Sequence, residues 1–268
     1  MNTMNGGRIM EHLYLYFSGT GNTKFVVERF ATALHPDATI RSIEHDDIHY
    51  DKLLQTHRNI TFAHPIYESM MPPIMSEFID RHRQAIHHKT ISVIVTQMLF
   101  SGDGAALVAR RLKKQNNTIR HTIHINMPNN LTDLRIFPSK SAENCQEKID
   151  KAKHRINRII KKIRAGKHIN MGRRPYSWLL GFFTQRLYAL PFYGKMRKKI
   201  KINANTCIGC GQCVDICPMD NLSMDGKKVI AHDRCTLCYR CINACPVQAM
   251  SLFSKHGPST QYIRDSYN

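Results

Sequence analysis

Short apolar runs alternate with longer amphipathic stretches along the first 165 residues. The runs predict strands, and stretches with apolar residues three or four positions apart predict helices. Predicted strands cover residues 13–17, 59–63, 90–96 and 122–125, and predicted helices cover residues 24–34, 105–114 and 144–164. A further predicted helix follows Pro72-Pro73 and ends at Ile79. This alternation indicates an α/β fold, with a parallel sheet covered by helices on both faces.

A polar, glycine-rich turn links the first predicted strand to the first predicted helix. It reads Ser18-Gly19-Thr20-Gly21-Asn22-Thr23. Backbone N–H groups and hydroxyls at the start of a helix form a site for an anion. The turn has no Walker lysine and does not follow the G-x-G-x-x-G spacing, so a single phosphomonoester fits it better than a nucleoside triphosphate or a dinucleotide.

Eight of the nine cysteines form two runs near the C-terminus, and Cys145 stands apart. Both runs follow C-x₂-C-x₂-C-x₃-C-P, the spacing of bacterial two-cluster ferredoxins, in which the fourth cysteine of each run binds the other 4Fe–4S cluster. The expected ligands of one cluster are Cys207, Cys210, Cys213 and Cys245. Those of the other are Cys235, Cys238, Cys241 and Cys217.

Zinc sites and disulfides are the alternatives for these cysteines. Zinc sites generally use two C-x₂-C pairs rather than two runs of four ending in C-P. Disulfides suit secreted chains, whereas no signal peptide is visible and no apolar stretch approaches the ~20 residues of a membrane span. We therefore expect a reducing, cytoplasmic setting and metal-bound thiolates. Because cysteines fill every ligand position, electron transfer is favoured over catalysis at the iron.

The chain around the cysteines predicts a small α+β domain. Asp225-Gly226 predicts a hairpin turn, and residues 249–253 predict a strand. Residues 200–255 resemble the two-fold-symmetric fold of the two-cluster ferredoxins.

The order of elements and the turn at residues 18–23 resemble flavodoxin over about residues 10–165. The resemblance implies that FMN binds at the C-terminal edge of the sheet, with its phosphate on the turn. It implies that loop 64–67 flanks the flavin ring, with Tyr67 as the stacking face, and that loop 96–104 covers the other side. The ring-loop residues named for this site are Pro65, Tyr67, Thr96, Gln97, Gly102 and Gly104.

Residues 166–199 form a basic, aromatic connector. Of the formal net charge of +19, most comes from residues 151–201, which hold 16 Lys or Arg and no Asp or Glu. Pro175 is expected to open a helix that is apolar on nearly all sides, and Pro191 to stop it. Three interpretations stay open: a helix buried between two domains, a docking surface for an acidic redox partner, and an in-plane membrane contact through residues 175–191. No nucleic-acid-binding motif is present.

Together the two halves resemble the flavodoxin–ferredoxin fusions of anaerobic bacteria. The expected domains are residues 1–165, 166–199 and 200–268, which fits a chain of 268 residues with 42% apolar content. The resemblance implies an electron-transfer protein that carries FMN and two 4Fe–4S clusters and serves redox protein partners. In that family, the segment Met127-Pro-Asn-Asn130 also lies near the flavin.

Two other functions stay open from the sequence. One is an FMN-dependent reductase of a small substrate such as a quinone. The other is a ferredoxin whose flavodoxin-like domain has lost its flavin and serves for docking. The oligomeric state is not predicted.

Overall fold

A computed structural model describes residues 10–44, 47–134 and 141–263. The outer ends of the first and last predicted domains, residues 1–9 and 264–268, lie outside the described residues. The N-terminal half contains five parallel strands, which are β1 (Met10–Tyr16), β2 (Thr39–Ser42), β3 (His57–Pro65), β4 (Thr90–Gln97) and β5 (Thr118–Asn126). The predicted α/β fold is confirmed.

The sheet has the order β2-β1-β3-β4-β5. The chain therefore adds β2 on one side of β1 and β3 to β5 on the other. At this switch point a crevice opens at the carboxyl ends of the parallel strands β1 and β3. The connecting helices are α1 (Asn22–Leu34), α2 (Tyr50–Thr56), α3 (Pro73–Arg81), α4 (Gly104–Lys113) and α5 (Ala142–Arg164). The sequence did not predict β2 or α2, which are short.

Two apolar cores cover the two faces of the sheet. Side chains alternate along β1, so that Leu13 and Leu15 enter one core and Tyr14 enters the other. Helices α3 and α4 pack over the first core, and α1 and α5 pack over the second. Residues 169–171 continue the sheet beyond the predicted end at 165, since Thr122 N–H donates to Ile169 O at 2.8 Å and Met171 N–H donates to Thr122 O at 2.9 Å.

The connector is helical from residue 175 to residue 196, as α6 (Pro175–Gly181), a π-helical segment (Phe182–Arg186) and α7 (Leu187–Met196). The expectation that Pro191 stops the helix is wrong, because Pro191 lies inside α7. Proline has a helical φ, and within a helix it removes one N–H hydrogen bond and crowds the carbonyl of residue i−4, but α7 continues through it.

Of the three open interpretations of the connector, a helix buried between two domains is wrong for the outer face of this connector helix, residues 175–196. Nine of its large apolar side chains are 43% to 67% exposed: Tyr176, Trp178, Leu179, Leu180, Phe183, Leu187, Tyr188, Leu190 and Phe192. Within the described residues, no helix is long and apolar enough to cross a bilayer.

The C-terminal half is a small α+β unit with its own core. Its elements are β6 (Lys201–Ile202), α8 (Gln212–Asp215), β7 (Leu222–Asp225), β8 (Lys228–Ala231), α9 (Arg240–Ala244) and β9 (Met250–Ser251). Strands β7 and β8 form the predicted hairpin, but Asp225 pairs with Lys228. The turn is therefore Gly226 and Lys227, one residue later than expected, and Gly226 supplies the positive φ of 58°.

Candidate cofactor site

The turn at residues 18–23, where the sequence predicts an anion site, leads directly into α1. Gly21 has a φ of 91°, in the left-handed region that glycine adopts at low cost. Ser18 Oγ accepts hydrogen bonds from the N–H groups of Thr23 and Lys24, at 3.2 and 3.3 Å. Thr23 Oγ1 lies 2.8 Å from Thr96 Oγ1, which joins the turn to the loop after β4.

The Asn22 side chain braces this turn from outside. Its Nδ2 donates to Pro128 O at 3.0 Å, and its Oδ1 accepts from the Tyr262 hydroxyl at 2.6 Å. Tyr262 is fully buried. The C-terminal segment therefore returns to support the N-terminal half.

A cavity of about 530 Å³ lies in the crevice at the carboxyl ends of β1, β3 and β4. Its size is typical of a site for a small organic ligand. The predicted residues that line it are Ser18, Gly19, Thr20, Asn22, Thr23, Pro65, Tyr67, Thr96 and Gln97. Met98, Leu99 and Phe100 line it too.

Gly21, Gly102 and Gly104 were also predicted here, but they are not among the residues that line the cavity. Gly21 shapes the turn. A Cβ on Gly102 would lie 2.5 Å from Gly181 Cα, and one on Gly104 would lie 2.7 Å from Ile66 Cδ1. Gly102 and Gly104 thus allow close packing against the loop after β4.

Half of the cavity wall comes from distant parts of the chain. The segment after β5 contributes residues 127–130, which the resemblance implied, and also Leu131 and Leu134. Gln185, Tyr193 and Met196 come from the connector helix, and Leu237, Tyr239, Leu252 and Phe253 come from the cysteine domain. Sequence analysis missed these seven residues because only the tertiary fold brings them to the crevice.

The cavity lining contains polar atoms that a ligand would satisfy. Among the described residues, the hydroxyls of Tyr67 and Tyr193 and Nδ2 of Asn129 are buried with no hydrogen-bond partner. Buried polar groups are normally paired, and leaving one unpaired is costly. Burial raises the pKa of Tyr67 well above its usual value, so its hydroxyl stays a donor. The lining therefore fits a ligand whose polar atoms can pair with the Tyr67 and Tyr193 hydroxyls and with Asn129 Nδ2.

Gln185, in the π-helical segment, holds the two ring loops together. Ser69 Oγ donates to Gln185 Oε1, and Gln185 Nε2 donates to Phe100 O at 3.0 Å. Glu68 and Ser69 have φ values of 49° and 57°, a conformation that non-glycine residues rarely adopt outside functional loops.

The eight clustered cysteines separate into two crossed sets around two small cavities. Cys217, Cys235, Cys238 and Cys241, here the inner set, line one cavity. Cys207, Cys210, Cys213 and Cys245, here the outer set, line the other. All eight lie in the described part of the chain and are unbridged. Each cavity thus has the four thiols that a 4Fe–4S cluster requires.

Family comparisons agree with both halves of this architecture. Residues 13–138 match the family model described as a flavodoxin domain, and residues 206–249 match the model described as a 4Fe-4S dicluster domain. The chain joins a flavodoxin domain to a two-cluster ferredoxin domain. This combination is that of an iron–sulfur flavoprotein for electron transfer, and it indicates FMN and iron–sulfur clusters as the cofactors.

Solved structures similar to the flavodoxin domain have low sequence identity. The Megasphaera elsdenii flavodoxin is 19% identical, with a TM-score of 0.39, and the match covers 43% of this chain and 85% of that one. A flavodoxin from the domain Archaea is 16% identical, with a TM-score of 0.40 and coverages of 58% and 99%. Flavodoxin 2 of Bacillus cereus is 15% identical, with a TM-score of 0.40 and coverages of 57% and 99%. No curated protein matches the chain.

Inside the ferredoxin domain, backbone N–H groups point at cysteine sulfurs. Asn221 N–H donates to Cys217 Sγ, Leu237 N–H to Cys235 Sγ and Ala249 N–H to Cys245 Sγ, each at 3.3 Å. Such bonds favour the thiolate and tune the potential of a bound cluster. Burial raises the pKa of Cys238 to about 12, so the charge of a bound metal is needed to make this sulfur a thiolate.

The phosphate turn lies directly against the inner set. A Cβ on Gly19 would be 2.4 Å from Cys238 O, so only glycine allows the two backbones to approach this closely. Arg240, between two ligands of the inner set, donates from Nε to Gly19 O at 3.0 Å and from Nη2 to Ser18 O at 2.8 Å. Its Nη1 also pairs with Glu44 at 2.7 Å. One side chain thus connects the phosphate turn to the cluster loop.

Asp133 forms a second tie between the domains. Its Oδ2 accepts from the N–H groups of Leu252 and Phe253, at 2.6 and 2.7 Å, and its Oδ1 accepts from the Tyr239 hydroxyl at 2.8 Å. Charge-assisted bonds of this kind are stronger than neutral ones. They hold three residues of the cavity wall in place.

Proposed function

We propose that this iron–sulfur flavoprotein converts between a two-electron donor and one-electron acceptors, with FMN in the crevice cavity and one 4Fe–4S cluster in each cysteine set. When bound, FMN exchanges electrons in pairs or singly, and each cluster carries one electron. The proposed division of the chain is residues 1–165, 166–199 and 200–268. Residues 169–171 lie within the second segment although they pair with β5.

The contact between the phosphate turn and the inner set carries this proposal. Leu237 and Tyr239, which flank the inner-set ligand Cys238, form part of the cavity wall. A ligand in that cavity would therefore touch the same loop that holds the inner cluster. Because the inner set and the cavity share this loop, exchange between the flavin and the inner cluster would need neither a domain movement nor a second chain.

The chain's own residues have distinct proposed roles at the flavin. Backbone N–H groups of the turn and the Thr20 hydroxyl bind the phosphate. Tyr67 and Met98 flank the ring system, one from each ring loop, and Leu237 and Leu252 exclude water from the side facing the cluster. The unpartnered hydroxyl of Tyr193 supplies a further donor from the connector helix.

The outer set is the proposed point of contact with redox protein partners, which electron-transfer domains imply. Cys210 is exposed, and its neighbour Ile208 is 60% exposed. A partner that docks there would come close to the outer cluster. The unbridged thiols and the need to keep eight of them reduced fit a cytoplasmic location.

Cofactor content tests the proposal directly. Anaerobically purified protein should contain about eight irons per chain and show a flavin band above the broad cluster absorption. Thr20→Ala should weaken FMN binding about tenfold or more, since a charge-assisted bond to phosphate is lost, and leave the iron content unchanged. Thr56→Ala, at an exposed threonine outside the cavity, is the matched control.

A protein with full iron content but no flavin after reconstitution with FMN would contradict the flavin half of the proposal. Iron far below eight per chain would contradict the cluster half. The rate of cluster reduction after rapid mixing with a two-electron donor then tests exchange between the two halves.

A further inference from the structure

The inner face of the connector helix, which meets the flavodoxin domain, carries small or polar residues. Ser177, Gly181 and Arg186 are its buried residues. Arg186 Nη1 donates to the fully buried Asp103 at 2.7 Å, and a Cβ on Gly181 would lie 2.9 Å from the same carboxylate. The helix is thus fixed to the flavodoxin domain through an ion pair and close backbone contact, while Tyr193 and Met196 near its end pack against the ferredoxin core.

The outer face of the same helix is apolar along its whole length. Among the described residues, it carries nine of the fifteen exposed large apolar side chains. Helix α5 shows the usual arrangement for a water-soluble protein, with Ile149 and Ile156 buried and lysines outside. The connector helix has the opposite arrangement, with apolar side chains facing outward. A contiguous apolar surface of this kind marks an interaction site.

The apolar face continues onto the second ring loop. Leu99 and Phe100 are both exposed and both line the flavin cavity. Gln185 bonds Phe100 O from the π-helical segment. The surface therefore runs from the connector helix to the mouth of the cavity.

Basic side chains flank the apolar face at both ends. Arg173 and Arg174 precede the helix, and Lys195 and Lys199 lie at its end, all exposed. Within the described residues, no carboxylate pairs with any of these four. Two neighbouring cations are paired, Arg197 with Glu77 at 3.9 Å and Lys198 with Asp233 at 3.6 Å. The net charge around the face is positive.

We infer that the connector helix docks this protein in the plane of an anionic membrane surface. The helix has 22 residues, or about 33 Å of apolar contact. Contacts between redox proteins are generally small, whereas an amphipathic helix with Trp, Tyr and Leu on one side and basic flanks is typical of the lipid interface. The four cations that have no carboxylate partner in the described residues complement anionic headgroups. This inference does not depend on the proposed function, because binding to lipid requires no electron transfer.

Flotation of the holoprotein with lipid vesicles tests this inference. The protein should float with phosphatidylcholine vesicles that contain phosphatidylglycerol, bind more weakly to phosphatidylcholine alone, and dissociate as salt is raised. The emission of Trp178, the only tryptophan, should be quenched by brominated acyl chains. Leu179→Glu/Leu190→Glu should lower vesicle affinity about tenfold or more, since two apolar anchors become charged.

The matched control is Met224→Glu/Ile230→Glu, which makes the same change at two exposed apolar residues of the β7–β8 hairpin. It should bind vesicles like the wild type. Cluster and flavin absorbance verify that both variants are folded and loaded. Three outcomes would overturn the inference: no flotation of the wild type, equal loss in both variants, or a dimer in solution that Leu179→Glu/Leu190→Glu dissociates while vesicles have no effect.

Discussion

The two cysteine sets share one sequence pattern but have different surroundings. Cys235 and Cys238 of the inner set are buried, and Cys238 belongs to the core under the flavodoxin sheet. Cys210 of the outer set is exposed. The spacing of the ligands is the same in both runs, but the packing of the flavodoxin domain buries one cysteine set more than the other. Burial against the flavin cavity suits one cluster for exchange inside the chain, and exposure suits the other for exchange with partners.

Removing one ligand from each set should have the largest effect of the four changes considered. Cys238→Ala removes a ligand that also fills the core beneath the flavin cavity, so we expect loss of the inner cluster, weaker FMN binding and a melting temperature lower by about 10 °C. Cys210→Ala should lose the outer cluster alone, keeping about four irons and normal FMN affinity. Iron analysis, flavin titration and thermal unfolding measure the difference.

If both variants lost FMN and stability to the same extent, the inequivalence of the two sets would be disproved. If Cys245→Ala lost the inner cluster and kept the outer one, the crossed assignment of ligands would be wrong instead.

Arg240→Met should have the next largest effect, because Arg240 connects the inner set to the phosphate turn. The change leaves the Glu44 carboxylate, which is mostly buried, without its partner. We expect a loss of about 3 kcal/mol in the free energy of unfolding and a slower reduction of the inner cluster. Denaturant unfolding and rapid-mixing kinetics measure the two effects.

Glu44→Gln/Arg240→Met distinguishes the role of the ion pair from that of the bonds to the turn. If the pair alone matters, the double variant should recover most of the stability lost by Arg240→Met, as coupled neighbours do. Electron transfer should stay slow in both variants, since the bonds to Ser18 O and Gly19 O are absent in each. Wild-type kinetics in Arg240→Met would exclude a positioning role for this residue.

Local patterns in the sequence predicted the parts of this molecule that local chemistry determines. The apolar runs of β1, β3, β4 and β5, the phosphate turn and the eight cysteines each follow from neighbouring residues. The contact of Arg240 with Glu44 spans 196 positions, and that of Asp133 with Leu252 spans 119. No short-range pattern marks such pairs, so the side chains that connect the two domains were not predicted.

The connector shows a different limit of sequence analysis. A helix that is apolar on nearly all sides is equally compatible with burial and with exposure, since its periodicity does not indicate which face meets the protein. The small residues Ser177 and Gly181 determine the inner face, by allowing close approach to Gly102 and Asp103. Their role becomes visible only once the partner surface is known.

Gly19→Ala tests the distance between the phosphate turn and the inner set with a single methyl group. The new Cβ would meet Cys238 O at 2.4 Å, and neither backbone can yield easily. We expect a loss of about 1–3 kcal/mol in stability and slower reduction of the inner cluster, with the outer set unaffected. Gly194→Ala, in a helix with no neighbour within 4 Å of the new Cβ, should be neutral or slightly stabilising.

Acid should lower the stability of the flavodoxin domain through His64, which is fully buried near the end of β3. Burial lowers the pKa of His64 to about 4, so the folded state binds fewer protons than the unfolded state below pH ~6.5. Its contribution to stability is therefore complete at neutral pH and is lost as the pH falls from about 6.5 towards 4, with a loss of about 1 kcal/mol by pH ~5.5.

His64→Asn isolates this contribution, because asparagine can replace the hydrogen bond of 2.9 Å from His64 Nδ1 to Pro65 O but does not titrate. Amide hydrogen exchange in β3 and β4 should accelerate less on acidification in the variant than in the wild type, while exchange in the β7–β8 hairpin should respond equally in both. Since the inner set rests on this sheet and the outer set does not, the same acidification should increase the access of oxidants to the inner cluster, while the outer cluster is exposed at every pH. An identical pH response of β3 in the two proteins would show that His64 is not the group responsible.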